Sequence, residues 1–581
     1  MCGISGIIHK KNRPLDRSDI DKMVHAQRHR GPDGEGVFEG PGFLLGHNRL
    51  AILDLSDAGL QPMRYRHKDG TDYVLIHNGE VYNYLEIRDE LRALGHGFAT
   101  ETDTEVLVHA YAEWGADCLD RFNGMFAFVI YDAAKKILFG ARDRFGIKPL
   151  HLQMTAEKFA FASEIKAFLA LGKAEGVDRQ TVVDYLYAGH IHHSGRTFFK
   201  GIEELKPGHR FVYDLQTHVI KTEPWYVLRE HVRPLRLDAR EAATELRRLL
   251  TESVRLRLRS DVRVGTCLSG GVDSSSIAAI ASSLYTGGPF IGITAESLDP
   301  ETNETEFARI VAERSKLEWH RVRPEDFREQ LLDVVKTQDE PFGGLSVFMQ
   351  DAVMRKAREL GVPVLLDGQG GDEVFLGYPK YLQARTFPPP RLFAKRVAST
   401  FGVMESREFE SDFEASAPRE LEESRAHLLA YRRALSHSTE AQILDITETN
   451  LPQLLRYEDR NSMRYSIETR LPFLDYRLVE FGLGLDFAVK IAGDRQKAVL
   501  RDAMSGSVPD QVLERRDKIG FAAPDRSWQP AFQALWRDHV VGSKLLQELA
   551  PSQLKQPAGS LTSSSKWKLI NLAIWSETYF I

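Results

Sequence analysis

Cysteine is scarce: Cys2, Cys118 and Cys267 are the three in 581 residues, and none shares a Cys-x-x-Cys spacing. That excludes a disulfide framework and points to a reducing, cytoplasmic setting. A basic excess is also missing. Lys and Arg number 76 against 82 Asp and Glu, a net charge of −6, so nucleic acid is not an implied partner. No uninterrupted apolar run reaches the roughly 18–20 residues that span a bilayer, and stretches such as 125–131 read as buried strands. The N-terminus is apolar first and basic afterwards, the reverse of a signal peptide, so Cys2 is not expected to be the lipidated cysteine of an exported lipoprotein. There is no internal repeat. What is present is ordinary for a soluble globular protein: 43% hydrophobic, 10% aromatic and 27% charged residues. The length exceeds one compact core and predicts two or more domains.

From residue 1 to 210, short apolar or alternating runs at 4–8, 42–47, 73–77, 126–131, 137–141 and 159–162 are punctuated by Gly, Asn and Asp. Two stretches with helical spacing, 19–27 and 84–94, lie between them, so this part predicts a strand-rich α+β domain. A polar stretch around 217–240, with Pro224 and Pro234, reads as a linker, taken as 211–240. After it, a helix over 241–257 leads into alternating strands (263–268, 290–294, 362–366) and helices (274–283, 304–315, 350–360). That alternation predicts an α/β domain with a parallel sheet, in which ligands bind beyond the carboxyl ends of strands. Residues 385–440, opening on Pro388-Pro389-Pro390, read as a peripheral helical insertion. The tail is expected to end in an amphipathic, Trp-bearing helix.

Removal of Met1, expected before a small second residue, would leave Cys2 with a thiol and a free α-amine. An α-amine of pKa ~7.7–8.0 is a base near working pH, so one residue would supply nucleophile and base together. Taken alone, a cysteine at position 2 is an accident. It is followed, however, by Arg30-Gly31-Pro32-Asp33-Gly34, His47-Asn48-Arg49-Leu50, His77-Asn78-Gly79-Glu80 and Thr102-Asp103-Thr104-Glu105. With Cys2-Gly3-Ile4 these motifs resemble the class II glutamine amidotransferase domain, an N-terminal-nucleophile glutaminase with an αββα sandwich. The resemblance implies that Arg49 holds the glutamine α-carboxylate and that Glu80 and Asp103 hold its α-ammonium. It implies an oxyanion hole made by the Asn78 side-chain amide and the Gly79 N–H. Singly, these segments read as turns or surface charge.

The second constellation is Cys267-Leu268-Ser269-Gly270-Gly271-Val272-Asp273-Ser274-Ser275, after a predicted strand and opening a predicted helix. Glycines, serines and a helix N-terminus converge donors on an anion, and Asp273 offers an oxygen ligand for Mg2+. No lysine follows the glycines, so this is not the loop used for γ-phosphate transfer. It resembles the pyrophosphate loop of ATP pyrophosphatases, with an adenine nucleotide α-hydrolase-like sheet. A later acidic loop, Asp367-Gly368-Gln369-Gly370-Gly371-Asp372-Glu373, places Asp372 where it would share Mg2+ with Asp273.

The order of the two constellations is similar to that of the glutamine-hydrolysing asparagine synthetase family. Further matches are Asp339-Glu340-Pro341-Phe342, Asp459-Arg460-Asn461-Ser462-Met463, Glu468-Thr469-Arg470-Leu471-Pro472-Phe473-Leu474-Asp475 and Lys518-Ile519-Gly520-Phe521. The resemblance implies that residues 241–581 form an ATP-dependent synthetase domain. Leu268 and Ile293 would border the adenine, while Ser269, Gly271, Asp273 and Ser274, with Gly368 and Gln369, would bind ATP. Lys518 would reach its phosphates. The implied reaction releases ammonia from glutamine at Cys2, adenylates aspartate with MgATP, and forms asparagine, AMP and pyrophosphate. The implied partners are small molecules, and the family suggests a homodimer. One position departs: a glutamate able to act as base toward ammonia is expected where this chain has Gln369. Either Glu373 or the substrate carboxylate then takes that role, or the acceptor is another carboxylate, such as a uronic acid or a peptide. A non-catalytic regulator is the reading from another class, and the joint presence of Cys2, Arg49, Asn78, Asp103, Asp273 and Asp372 argues against it.

Overall fold

The computed structural model describes residues 1–10, 15–324, 326–386, 405–516, 523–555 and 561–580. The N-terminal half carries β1 (Gly3–His9), β2 (Gly34–Gly40), β3 (Phe43–Arg49), β4 (Met63–Arg66), β5 (Asp72–Val81), β6 (Gly124–Asp132) and β7 (Ile137–Arg142). It continues with β8 (His151–Met154), β9 (Lys158–Ala162), β10 (Ile202–Glu204), β11 (His209–Asp214) and β12 (Ile220–Pro224). These form two antiparallel six-stranded sheets, ordered β10-β8-β9-β1-β3-β2 and β12-β11-β7-β6-β5-β4. Ile4, Ile8, Leu45, Ile76, Val129, Phe159 and Phe211 are buried together between the two sheets. The helix Arg17–Ala26 covers the outer face of the first, and the helices Tyr84–Ala93 and Asp103–Trp114 cover the second, giving the expected αββα sandwich.

The last of these helices was not legible in the sequence, because residues 103–111 are all buried and leave no polar face to reveal the helical period. Its start is fixed locally by the Thr102 side chain, which accepts from Glu105 N at 3.1 Å. The expected linker over 211–240 is corrected: β11 pairs with β7 inside the second sheet, and β12 is its charged edge strand. An edge of Lys221, Glu223 and Pro224 reads as linker although it is sheet, since such residues discourage further strand pairing.

The second half is built on β13 (Val264–Cys267), β14 (Ile291–Ala295), β15 (Glu318–Val322), β16 (Val364–Leu366) and β17 (Glu468–Arg470), all parallel in the order β15-β14-β13-β16-β17. The helix Ala239–Arg257 precedes them, started by a capping box between Asp238 and Glu241. The C-terminal helix Ser563–Phe580 is not amphipathic as expected: residues 567–576 are buried without interruption, and Trp567 and Trp575 lie in a core shared with Phe198 and Phe199 of the first half.

Two further expectations change. Pro388-Pro389-Pro390 lies outside the described residues, but the helices Glu405–Ser416 and Pro418–Ala434 are not peripheral. Phe409, Phe413, Leu421 and Leu428 are buried in the core that also holds Val182 and Leu186. Gln180 donates to the Glu420 carbonyl at 3.0 Å and Arg179 to the Ser416 carbonyl at 2.7 Å. The two halves are also joined by a buried charged network. Arg30 forks onto Asp459 at 2.8 and 2.9 Å and reaches Glu164 at 2.7 Å, while Asp339 accepts from Ile165 N at 3.1 Å. The motifs around Asp339, Asp459 and Glu468 therefore seat one half on the other.

Candidate active sites

Near the end of β5, Asn78, Gly79 and Glu80 approach Cys2 at the start of β1. Cys2 N donates to Asn78 Oδ1 at 3.0 Å. This fixes the amide so that Asn78 Nδ2 is left buried with no hydrogen-bond partner among the described residues, a donor ready for an incoming oxygen. Gly79 has φ +142°, and a Cβ there would stand 2.0 Å from the Met125 carbonyl oxygen, so no other residue fits this approach of β5 to β6. Cys2, Arg49, Gly79, Glu80 and Asp103 line one cavity of about 30 Å³, together with Met1. The Met1 side chain is buried at its wall, in a cluster with Leu50 and Ile52.

Arg49 is positioned by the loop that follows its strand, donating to the carbonyls of Asp54 and, at 2.6 Å, Ser56. Its remaining donors can take a carboxylate. Asp103 accepts from Val81 N at 2.8 Å, which ties the first residue of its helix to β5. Burial, with Glu468 nearby, pushes the Asp103 carboxyl up to about 6, and burial with Glu468 and Asp103 raises Glu80 well above the usual carboxylate range. A buried group of carboxylates with raised pKa values is a site that a cation would satisfy. Burial likewise raises the Cys2 thiol, opposed by the N-terminal ammonium.

Glu468 and Arg470, from β17 of the second half, complete this site and were not among the expected residues. The Met1 ammonium meets Glu468 at 2.8 Å with both groups fully buried. Although burial opposes it, that ammonium and Arg470 hold the Glu468 carboxyl down at about 2. Arg470 donates to Glu468 at 2.6 Å and lies 3.7 Å from Glu80. Only folding brings a strand 467 residues away to the N-terminus.

The second cavity, about 330 Å³, opens off the carboxyl ends of β13 and β16. Ser269, Gly271, Asp273, Ser274, Gly368, Gln369 and Asp372 all line it. The loop after β13 is held by its own serines: Ser269 N donates to Ser274 Oγ at 3.2 Å, Gly271 N to Ser269 Oγ at 3.2 Å, and the two hydroxyls meet at 3.0 Å. The helix Val272–Leu284 then starts with its N-terminal amides toward this loop. Gly371 permits the second loop to close in, since a Cβ there would sit 2.7 Å from Asp273 Oδ1.

Asp273 and Asp372 do converge, and Lys497 lies between them, bonded to Asp273 and 2.7 Å from Asp372. Despite its burial, those two carboxylates raise the Lys497 pKa. Two carboxylates already gathered on one cationic centre are an oxygen donor set that fits Mg2+. Lys497 escaped the sequence reading because Gln496-Lys497-Ala498 has no phosphate-loop pattern; its left-handed φ of +54° at a helix start becomes visible only in the fold. Lys518 lies outside the described residues. Leu268 and Ile293 do not line the cavity: both are buried, and Leu268 N donates to the Ile293 carbonyl at 2.9 Å. Glu373 is also withdrawn from it, accepting from Tyr378 at 2.9 Å and from Asn450 at 2.6 Å. Asp367 instead stands on the cavity wall beside Cys267, its carboxyl raised by burial.

Comparison with known proteins follows the same division. Residues 1–226 match the family described as glutamine amidotransferase domain, and residues 245–577 match the family described as asparagine synthase. A glutaminase domain joined to an ATP-using synthase domain defines an ATP-dependent amidoligase. The chain belongs to the asparagine synthase family. It is 33% identical to asparagine synthetase [glutamine-hydrolyzing] 3 of Bacillus subtilis, over 89% of this chain and 86% of the relative. It is 36% identical to a putative asparagine synthetase [glutamine-hydrolyzing] 2 of Methanocaldococcus jannaschii, over 66% and 76%. It is also 27% identical to a protein of Penicillium rubens named amidase chyE, over 91% and 89%.

Proposed function

We propose that the protein is a glutamine-dependent asparagine synthetase. The observation that carries this reading is the pairing, in one chain, of a cavity lined by Cys2, Arg49, Gly79, Glu80 and Asp103, with the orphaned Asn78 amide beside it, and an Asp273–Lys497–Asp372 cavity at the ends of a parallel sheet.

Once Met1, which lines the Cys2 cavity, is removed, that cavity widens and the Cys2 nitrogen becomes the free α-amine. Arg49 takes the glutamine α-carboxylate, and Glu80 and Asp103 take its α-ammonium. The α-amine accepts the thiol proton as sulfur attacks the carboxamide carbon. Asn78 Nδ2 and the Gly79 N–H stabilise the oxyanion, and the amine returns its proton to the departing ammonia. Water then hydrolyses the glutamyl thioester.

In the other cavity Ser269, Gly271, Asp273, Ser274, Gly368 and Gln369 cradle ATP, with Lys497 on its phosphates. Mg2+ held by Asp273 and Asp372 would neutralise charge on the leaving pyrophosphate. The aspartate side-chain carboxylate attacks the α-phosphorus, pyrophosphate leaves, and ammonia displaces AMP from the acyl-adenylate. Asp367, on the wall and with a raised pKa, is the carboxylate placed to take the proton from the attacking nitrogen now that Glu373 is tied elsewhere.

A second reading, amidation of another carboxylate, is favoured by one observation: Gln369, which cannot accept a proton, stands on the cavity wall. The likeness to the fungal protein named an amidase points the same way. Purified protein given glutamine, MgATP and aspartate decides between them. Equimolar asparagine, glutamate, AMP and pyrophosphate are expected; glutamate release without asparagine or aspartate-dependent pyrophosphate would overturn the asparagine reading.

A further inference from the structure

On the outer side of the N-terminal domain, three chain segments bring imidazoles together. His67 follows β4 in the turn to β5, His96 lies in the loop after the helix Tyr84–Ala93, and His109 and Glu113 are one turn apart on the helix Asp103–Trp114. One ligand atom each from His67, His96 and Glu113 lies within 4.8 Å of the other two. The His67 and His96 side chains are only 10% and 2% exposed, and Glu113 is 25% exposed, so the group is closed inward and open to water on the Glu113 side. None of these residues belongs to either cavity described above.

We propose that His67, His96 and Glu113 bind a divalent first-row transition metal, with zinc as the reference ion. Two imidazoles and one carboxylate are a zinc donor set, with ligand atoms about 3.3 Å apart in a tetrahedron of ~2.0–2.1 Å bonds, and the exposed side leaves a position for water. The outer contacts also fit. Neither His67 ring nitrogen makes a hydrogen bond among the described residues, and Asp69 Oδ1 stands 3.2 Å from Nδ1, so Asp69 can back Nδ1 while Nε2 takes the metal. His96 Nδ1 meets His109 Nδ1 at 3.0 Å and the Tyr65 hydroxyl at 3.3 Å, while His96 Nε2 points at Glu113 Oε2, 2.9 Å away. With metal on Nε2, the His96 proton moves to Nδ1 and is donated to His109, whose ring stands where a carboxylate, carbonyl or water usually backs a ligating histidine. Without metal, the same atoms form a hydrogen-bond network with the proton on Nε2.

The helix links this cluster to the glutaminase site. Asp103 begins it and Glu113 stands ten residues on, about 15 Å at 1.5 Å per residue, so the ion would clamp the far end of the element that presents Asp103. Its role is structural.

Chelator-treated full-length protein is titrated with cobalt(II), then with zinc chloride. Expected are a visible tetrahedral cobalt band, its displacement by zinc, and a thermal midpoint raised by zinc. The His67→Gln variant and the double variant His67→Gln/Glu113→Gln should each bind one equivalent fewer and lose the band, while retaining the wild-type circular dichroism and glutamine hydrolysis. His67 sits in a hairpin turn, so its variant folds whether or not the double variant does. No cobalt band in the wild type, or equal metal stoichiometry in wild type and His67→Gln, would leave the hydrogen-bond network as the correct account.

Discussion

Arg30 and Asp459, 429 residues apart in sequence, form a two-pronged ion pair of 2.8 and 2.9 Å in the interior. The same guanidinium donates through Nε to the Cys2 carbonyl at 3.0 Å, so an aspartate of the second half fixes the backbone of the proposed nucleophile. Although burial opposes it, Arg30 holds the Asp459 carboxyl at about 2, and the pair is charged at every working pH. Asp459→Ala removes one of the two carboxylates that hold the buried Arg30, leaving Glu164 at 2.7 Å, and should lower stability by up to about 3 kcal/mol. It should also reduce glutamine-dependent synthesis more than synthesis from added ammonia. Thermal unfolding and the ratio of the two activities measure both effects, and an unchanged ratio would mean that the pair serves stability alone.

Cys2→Ala should abolish glutamine hydrolysis, by at least about 10⁴-fold, and leave ammonia-dependent pyrophosphate release intact. Asn78→Ala removes one oxyanion donor and should lower glutaminase kcat by roughly 10²–10³-fold. Glutamate release and pyrophosphate release, assayed separately, show whether the two sites divide the work in this way.

Asp103 supplies a pH dependence. Burial raises its carboxyl to about 6, and on the proposed mechanism it holds an ammonium only when ionised, so kcat/KM for glutamine should fall more steeply below pH 6 than titration of the Cys2 α-amine alone would give. The stability effect runs the other way. A carboxyl raised from 3.8 keeps its proton longer in the folded state, so its contribution declines as pH rises from about 3.8 to 6. In Asp103→Asn the extra steepness below pH 6 should diminish while the limb set by the α-amine remains, read from initial rates between pH 5 and 8.

Lys497→Ala leaves Asp273 and Asp372 facing each other without their shared ammonium. Amide synthesis should fall by about 10²–10³-fold, with glutamine hydrolysis retained. Lys497→Arg should recover only part of the loss, because a planar fork does not replace a point charge between two carboxylates.

Asp367→Asn keeps the shape of the cavity wall and removes the proposed base. Pyrophosphate release with aspartate should persist while amide formation drops by about 10²-fold, so that AMP and pyrophosphate outrun asparagine. Equal loss of both products would assign Asp367 to nucleotide binding instead.

Local sequence determined a good deal. Asn78-Gly79 could sit against β6 only with glycine at 79, the serines around Gly271 tie their own loop, and the alternation from 263 to 366 gave the parallel sheet, because each depends on neighbours a few residues away. The helix Asp103–Trp114 escaped because it is buried along its length, and β12 because an edge strand wears charge. The motifs around Asp339, Asp459 and Glu468 were visible as motifs, but their work was not. Seating one domain on the other requires partners at Ile165, Arg30 and the N-terminal ammonium, hundreds of residues away. For the same reason Lys497 emerged and Glu373 withdrew only in three dimensions: whether a charged side chain faces a cavity or a buried partner is set by what packs around it. Composition and motif order thus determined a two-domain glutaminase–synthetase, while tertiary packing decided which charges line the two cavities and which hold the two halves together.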